Sequence, residues 1–477
     1  MATIDTSSGE CRIAMPNLQK SNRRMPLLRR GITVAIIVGT ILTGLAIYAI
    51  HNDGLPGTQA LRSDAMTAVA VAIFATTYLV IAIGKLPGFY LDRAGAALLG
   101  ASLMVGTGVL SLDQAYRAID FDTIALLLGM MIVVANLRIS GFFRLVNNWV
   151  VTRARHPFVL LAAIILVAGS LSAFLVNDTI GLVMTPLVLQ IVVRLERNPV
   201  PYLLAVAMAS NVGSTATITG NPQNMIIGSL SHIPYGAIAA SLWPVAAAGL
   251  GLVTALIALI YPGEFLTRER LPTIAAVPAP HHTPLVIKSV LVMGAMMVLF
   301  FAGQPVAKVA IIGGALLLFT RRVKAEKVYR EIDWPLLVMF VGLFVVVAGV
   351  EMAVLTPDAI AAVGRLHLGS VPILSVATAG LSNLVSNVPA VLVLKPFIAD
   401  LPDPTRAWLV VAMASTLAGN FTLVGSVANL IVAQRARAHG RHELLGVFQG
   451  RRAADSVDDP VRHLVALMLR TARIARV

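Results

Sequence analysis

Long apolar segments alternate with short polar ones along the whole chain, and their lengths carry the first inference. They lie near 31–50, 66–84, 94–110, 122–139, 158–193, 202–228, 237–260, 285–302, 306–320, 334–355, 371–398 and 405–433. A run of about 18 or more apolar residues crosses a hydrocarbon core about 30 Å thick as a helix, and lipid tolerates irregular backbone only where protein or water surrounds it. The pattern predicts an all-α polytopic membrane protein. Segments 158–193 and 371–398 are too long for one span and polar at their centres, "LVNDT" and "LVSNVP", with Pro186 and Pro396 following. Each predicts a re-entrant helical hairpin that enters the bilayer and returns, against the alternative of two ordinary short helices. Segment 202–228 contains "TATITGNPQNMIIG", whose Gly220, Asn221 and Pro222 would break a buried helix. That predicts a discontinuous transmembrane helix beside a cavity.

The second half of the chain repeats the first. "IDF" at 119–121 answers "IDW" at 332–334, and the same offset of 213 residues brings Gly129 onto Gly342. "SAFLVNDTIGLVMTP" at 172–186 answers "SNLVSNVPAVLVLKP" at 382–396, aligning Asn177 with Asn387 and Pro186 with Pro396. "VAMASNVGSTATITGNPQNMII" at 206–227 answers "VAMASTLAGNFTLVGSVANLIV" at 411–432, aligning Thr217 with Thr422, Gly220 with Gly425 and Asn224 with Asn429. With the amino terminus inside and each hairpin returning to its own side, the two hairpins enter from opposite faces. Two inverted-topology repeats are therefore predicted, each with a re-entrant hairpin and a discontinuous helix.

Composition agrees: 57% of residues are hydrophobic and only 13% charged, far from a soluble chain. The net charge of +14 does not form one patch, so no nucleic-acid partner is expected. Lys and Arg instead gather at 138–155, in "RRVKAEKVYR" at 321–330 and after Gln434, which by the positive-inside rule puts both termini in the cytoplasm, with the plasma (inner) membrane as the expected location. The domain reading is a basic segment 1–30, scaffold helices 31–110, a first core 119–260 (hairpin 158–193, broken helix 202–228), a cytoplasmic loop 261–284, a second repeat 285–433 (hairpin 371–398, broken helix 405–433) and a basic tail 434–477. The first apolar segment reads as a retained helix rather than a signal peptide. By the repeat offset a last span belongs near 442–465, but Arg451, Arg452, Asp455, Asp458 and Asp459 occupy it. A cytoplasmic tail is expected there, with a short amphipathic piece around 460–474.

No H-E-x-x-H helix, G-x-S-x-G elbow or intramembrane aspartate pair is present, so an enzyme is not expected. No G-x-x-x-x-G-K loop appears either, and ATP drive would need a separate ATPase subunit. The lone Cys11 and the loop histidines, His281 and His282 among them, give no metal set and no cofactor. A secondary transporter driven by H+ or Na+ remains.

Its chemistry follows from the breaks. A discontinuous helix leaves unpaired N–H groups at one half and unpaired C=O groups at the other, equivalent to about half a charge each, and Asn or Thr beside them can donate or accept. Two pseudo-symmetric sets are the candidates: Asn177, Asp178 and Thr179 with Asn211, Gly213, Thr217, Gly220, Asn221 and Asn224, and Ser386 and Asn387 with Asn420, Thr422, Gly425 and Asn429. One such amide alone is ordinary interhelical glue, about 0.6 kcal/mol; the matched set argues for a binding site. A carboxylate at hairpin depth costs at least about 2.5 kcal/mol to place there. Asp178 is therefore the coupling candidate, or else a cap on the hairpin's own backbone. Asp120 and Asp333 read as matched caps at the membrane edge, and Lys395 as a side chain snorkelling to the outer surface.

The hairpin asparagines followed by "GSTATITGNPQN" resemble the ion transporter superfamily, which includes dicarboxylate and citrate carriers, sodium/proton antiporters and arsenite permeases. Residues 85 to 440 carry the resemblance. Its carboxylate carriers typically bear Ser-Asn-Thr at both hairpin tips. Here the tips read Val176-Asn177-Asp178 and Ser386-Asn387-Val388, closer to the arsenite permease branch and its anion permease relatives. The resemblance implies a homodimer that moves its core repeats against a scaffold, and a small inorganic or organic ion as substrate. An arsenite- or antimonite-like oxyacid exchanged against protons is the favoured expectation, with sodium/proton antiport and citrate-like carboxylate symport as alternatives.

Overall fold

Prolines and short polar side chains set the helix boundaries. The computed structural model describes residues 59–84, 90–272, 281–354, 367–422, 426 and 428–433; the expectations for 1–30, 31–50 and 434–477, and for Gly425, lie outside the described residues. Among the described residues the regular structure is helical. The first half of the chain runs α1 (Gln59–Ile83), α2 (Arg93–Gly106), α3 (Leu112–Ala118), α4 (Phe121–Ser140), α5 (Phe142–Arg153), α6 (Pro157–Phe174), α7 (Asn177–Arg194), α8 (Pro199–Ser214), a 3-10 turn (Ile218–Gly220), α9 (Pro222–Ser231) and α10 (Tyr235–Ile260). After α11 (Pro262–Phe265) come α12 (Thr283–Phe301), α13 (Val306–Leu318), α14 (Ala325–Tyr329), α15 (Trp334–Val354), α16 (Val371–Val385), α17 (Asn387–Ile398) and α18 (Pro404–Ala418). Among the described residues six helices, α1, α4, α6, α10, α12 and α15, are long and apolar enough to cross a membrane. The chain is an integral, polytopic membrane protein.

Both segments with polar centres are divided where the polar residues lie. Between α6 and α7 the backbone of Leu175 is extended, and α7 begins at Asn177. Between α16 and α17 a single residue, Ser386, makes the break at φ 80°, ψ 160°, a conformation that only glycine adopts without strain. The broken helix ends at Ser214, turns through Ile218–Gly220 and restarts at Pro222, where Asn221 caps it by accepting from the Asn224 N–H at 2.8 Å. Proline in the first turn removes one N–H and the amide cap accepts from another, donors that a buried helix start would otherwise strand. Asp120 accepts from the Thr123 N–H at 3.1 Å and Asp333 from the Leu336 N–H at 3.1 Å, so the two aspartates do cap corresponding helices.

Packing repeats with the offsets of the sequence. α4 lies along α13 and α15 along α2, while α6 packs on α8 and α16 on α18. A Cβ on Gly129 would come within 2.4 Å of the Ala310 backbone, and one on Gly342 within 2.5 Å of the Ala97 backbone. Gly129 and Gly342 correspond, and so do Ala97 and Ala310. Each half supplies the glycine for one contact and the alanine for the other. α4 and α15 are the inner spans, with 72% and 56% of their most apolar stretch buried, against 22% for α10 and α12, whose side chains face outward. The reading by long apolar runs missed α3, α5, α11 and α14. In α5, placed where only a basic loop was expected, Phe143, Asn147 and Val150 are buried; their spacing of three to four makes a half-buried helix too polar to register as a span.

Candidate functional site

Interruptions in three helices meet at one cavity of about 290 Å³. Asn177 and Asp178 reach it from the α6–α7 break, Ser386 and Asn387 from the α16–α17 break, and Pro222 and Gln223 from the broken helix. Asp92, Arg93 and Asp333 also line it. Three carboxylates therefore share a small space with one guanidinium, Arg93, which has no hydrogen bond or ion pair to any described residue. The Asp178 carboxylate faces the Ala428 backbone N–H and lies within electrostatic range of Asp333.

Behind the cavity wall lies an amide network centred on Asn211, which is 1% exposed. Its Oδ1 accepts from Asn177 Nδ2 at 3.2 Å and from Ser426 Oγ at 2.8 Å. Its Nδ2 donates to Asn420 Oδ1 at 2.9 Å and to Asn429 Oδ1 at 3.1 Å. One side chain on α8 thus ties the start of α7 to Asn420, Ser426 and Asn429 in the second half of the chain. Around it the bonds recur at corresponding positions. Asn221 Nδ2 donates to Thr416 Oγ1 at 3.1 Å, and Ser426, which corresponds to Asn221, donates to Asn211, which corresponds to Thr416. Asn224 Nδ2 donates to the carbonyls of Ser214 (3.2 Å) and Thr217 (2.9 Å); Asn429 Nδ2 does the same to Gly419 (2.8 Å) and Thr422 (3.2 Å). Ser172 Oγ donates to the Ser210 carbonyl and Ser382 Oγ to that of Ser415.

The sequence candidates therefore fall into two groups. Asn177, Asp178, Ser386 and Asn387 line the cavity, and Ser382 Oγ holds the Asn387 amide by donating to its Oδ1. Asn211, Asn221, Asn224, Asn420 and Asn429 support it from behind through the bonds above. Thr217 donates to the Ala173 carbonyl and Thr422 to Asn383 Oδ1; the Thr179 N–H caps against Val176. Gly213 and Gly220 are points of close backbone approach, to Gly169 and Ser214. Sequence reasoning missed Asp92, Arg93, Gln223 and Ser426 as cavity residues. Gln223 and Ser426 stood inside the quoted motifs, whereas Arg93 starts a helix and gave no signal. Asp333 both caps α15 and faces the cavity. Lys395 does not simply snorkel outward: its Nζ lies 3.1 Å from Glu351 Oε1, half-buried between α17 and α15. No cluster of metal-ligating side chains occurs among the described residues.

The sequence signature of the citrate transporter family matches residues 77–418, which span α2 to α18 and every helix break around the cavity. The chain belongs to the citrate transporter family. Relatives within reach of this family member include the rice (Oryza sativa subsp. japonica) silicon efflux transporter LSI3, 30% identical over 454 residues, covering 80% of this chain and 93% of the rice protein. A 46 kDa membrane protein of Mycobacterium leprae is 29% identical over 400 residues, covering 79% of this chain and 92% of its own. The "Putative transporter arsB" of Dictyostelium discoideum is 23% identical, covering 74% and 83%. The citrate transporter family member described here is thus an anion or solute transporter.

Proposed function

We propose that the protein is a secondary transporter of a small oxyacid or its anion, arsenite- or antimonite-like, exchanged against protons, with the cavity opening alternately to the two sides of the membrane. The observation that carries this reading is the meeting of both polar helix breaks, Asn177–Asp178 and Ser386–Asn387, at one cavity. In this reading α6–α7 and α16–α17 are re-entrant hairpins of two inverted-topology repeats, supported by the crossed glycine contacts and the matched hydrogen bonds. Such a repeat pair supplies two equivalent arrangements of one structure, which is what alternation requires.

A cavity of about 290 Å³, at the lower end of the roughly 300–1,000 Å³ range of small-molecule pockets, has room for a small solute. Carboxylates accept hydrogen bonds from the hydroxyls of an oxyacid, and amides serve either role. The silicon efflux name of the rice relative points the same way, because dissolved silicon is itself a small hydroxylated acid. Asp178 is the coupling residue: two carboxylates facing one cavity repel, and a bound proton removes that repulsion. Sodium coupling is the second reading, favoured by Asn224 Oδ1, which is buried without a hydrogen-bond partner and free to face a cation. The protein functions as a homodimer in the plasma (inner) membrane, where the outward faces of α10 and α12 meet lipid or the second copy.

The test is a proteoliposome panel of arsenite, antimonite, silicic acid and citrate, each with and without a proton or a sodium gradient. Oxyacid flux that follows the proton gradient is expected. Flux of citrate alone, or exchange of sodium for protons with no solute moved, would replace this reading with one of the alternatives.

A further inference from the structure

Resting on that reading, the geometry points to Arg93 as a specificity-determining residue, which binds a negatively charged oxygen of the solute inside the cavity. Arg93 opens α2, and its side chain lies against Gly84, where a Cβ would come within 3.6 Å of the guanidinium. The side chain is mostly removed from solvent, lines the cavity, and has no hydrogen bond or ion pair to any described residue. Three carboxylates line the same cavity, yet none comes within ion-pair distance of it. Asp92 is occupied in capping α2 through the Gly95 N–H at 2.8 Å, Asp333 caps α15, and Asp178 faces Ala428.

A guanidinium offers five donors in a fixed planar fork and no acceptor. With no partner among the described residues and in a largely desolvated place, it is stabilised by a ligand that supplies two oxygens and a negative charge. The cavity's other polar groups, at Asn177, Asn387 and Gln223, can hold hydroxyls or further oxygens. The solute is therefore held in an anionic form, as an oxyanion or carboxylate, rather than as a bare cation. The residue corresponding to Arg93 in the second repeat, at the offset of 213, is Val306. At this pair of positions the guanidinium is thus present in one half of the chain only.

The experiment is thermal unfolding of the detergent-purified full chain with arsenate, phosphate, citrate or, as the neutral oxyacid at pH 7, arsenite. Wild type is compared with Arg93→Gln, Arg93→Lys and the exposed control Arg117→Gln. At least one anion is expected to raise the midpoint of wild type and Arg117→Gln, with apparent affinity about tenfold or more weaker in Arg93→Gln. Arg93→Lys, which keeps the charge but not the fork, falls between and reports that the protein still folds. Equal anion stabilisation in wild type and Arg93→Gln overturns the proposal. So does a wild type that responds to arsenite alone or to no member of the panel. This readout needs no transport, so failure of gradient-driven flux, which would remove the functional reading, leaves the binding result separately interpretable.

Discussion

Replacing Asn211 by alanine removes four hydrogen bonds at once, two donated and two accepted, from a side chain that is 1% exposed. Interhelical hydrogen bonds in membrane proteins average about 0.6 kcal/mol and reach about 1.7 kcal/mol. Four on one residue therefore amount to about 2.5 kcal/mol. The true loss lies above that figure where the stranded partners, Asn177, Ser426, Asn420 and Asn429, find no water or new partner. The assay is reversible unfolding in mixed micelles, run on Asn211→Ala, Asn429→Ala and the double variant, so that the coupling between the two amides is isolated. Because Asn211 ties both repeats behind the cavity, Asn211→Ala should also abolish transport. A stability loss below about 0.6 kcal/mol, the value of a single average bond, would refute the description of Asn211 as the hub joining the repeats.

Gly129→Ala and Gly342→Ala should each destabilise by about 1–3 kcal/mol, because each new methyl meets backbone across the helix pair. Gly251→Ala, which meets nothing within 4 Å, should be neutral in the same melts. Ser386→Gly should stabilise the fold by about 1 kcal/mol by relieving its positive φ, while solute affinity in the binding melts falls through loss of the hydroxyl at the tip. Lys395→Gln should cost about 1–2 kcal/mol by stranding the half-buried Glu351, and adding Glu351→Gln should recover most of it; no recovery would mean that the pair is incidental.

Much of this organisation is legible in the sequence, for physical reasons that can be assigned residue by residue. Pro157, Asn198 and Pro222 start buried helices because each solves the stranded-donor problem locally, so the boundaries at these points needed no tertiary information. The duplicated motifs located Asn177, Asn211 and Asn387, since an amide embedded in an apolar run must find a partner within the protein. What stayed hidden depends on which helices meet. Arg93 resembles any basic residue at a helix start until α2 is seen against α15 and its side chain beside the helix breaks at Asn177 and Ser386. Asp333 looked like a cap, and is one, but its second role comes only from the cavity it faces. Lys395 finds Glu351 through the packing of α17 on α15, forty-four residues away in the chain. Conversely Thr217, Gly213 and Gly220 stand in the motif because the break itself needs them, for a hydrogen bond to Ala173 and for two close backbone approaches.

The most direct test of the central claim is the pH change inside vesicles on addition of arsenite or antimonite, measured for wild type and Asp178→Asn reconstituted at equal density. The account predicts that wild type moves protons with the oxyacid and that an imposed proton gradient drives accumulation. Asp178→Asn, still folded and still exchanging labelled solute at equilibrium, should show neither. Proton-coupled accumulation of the same size in Asp178→Asn would contradict it, and would place the coupling on another residue of the cavity.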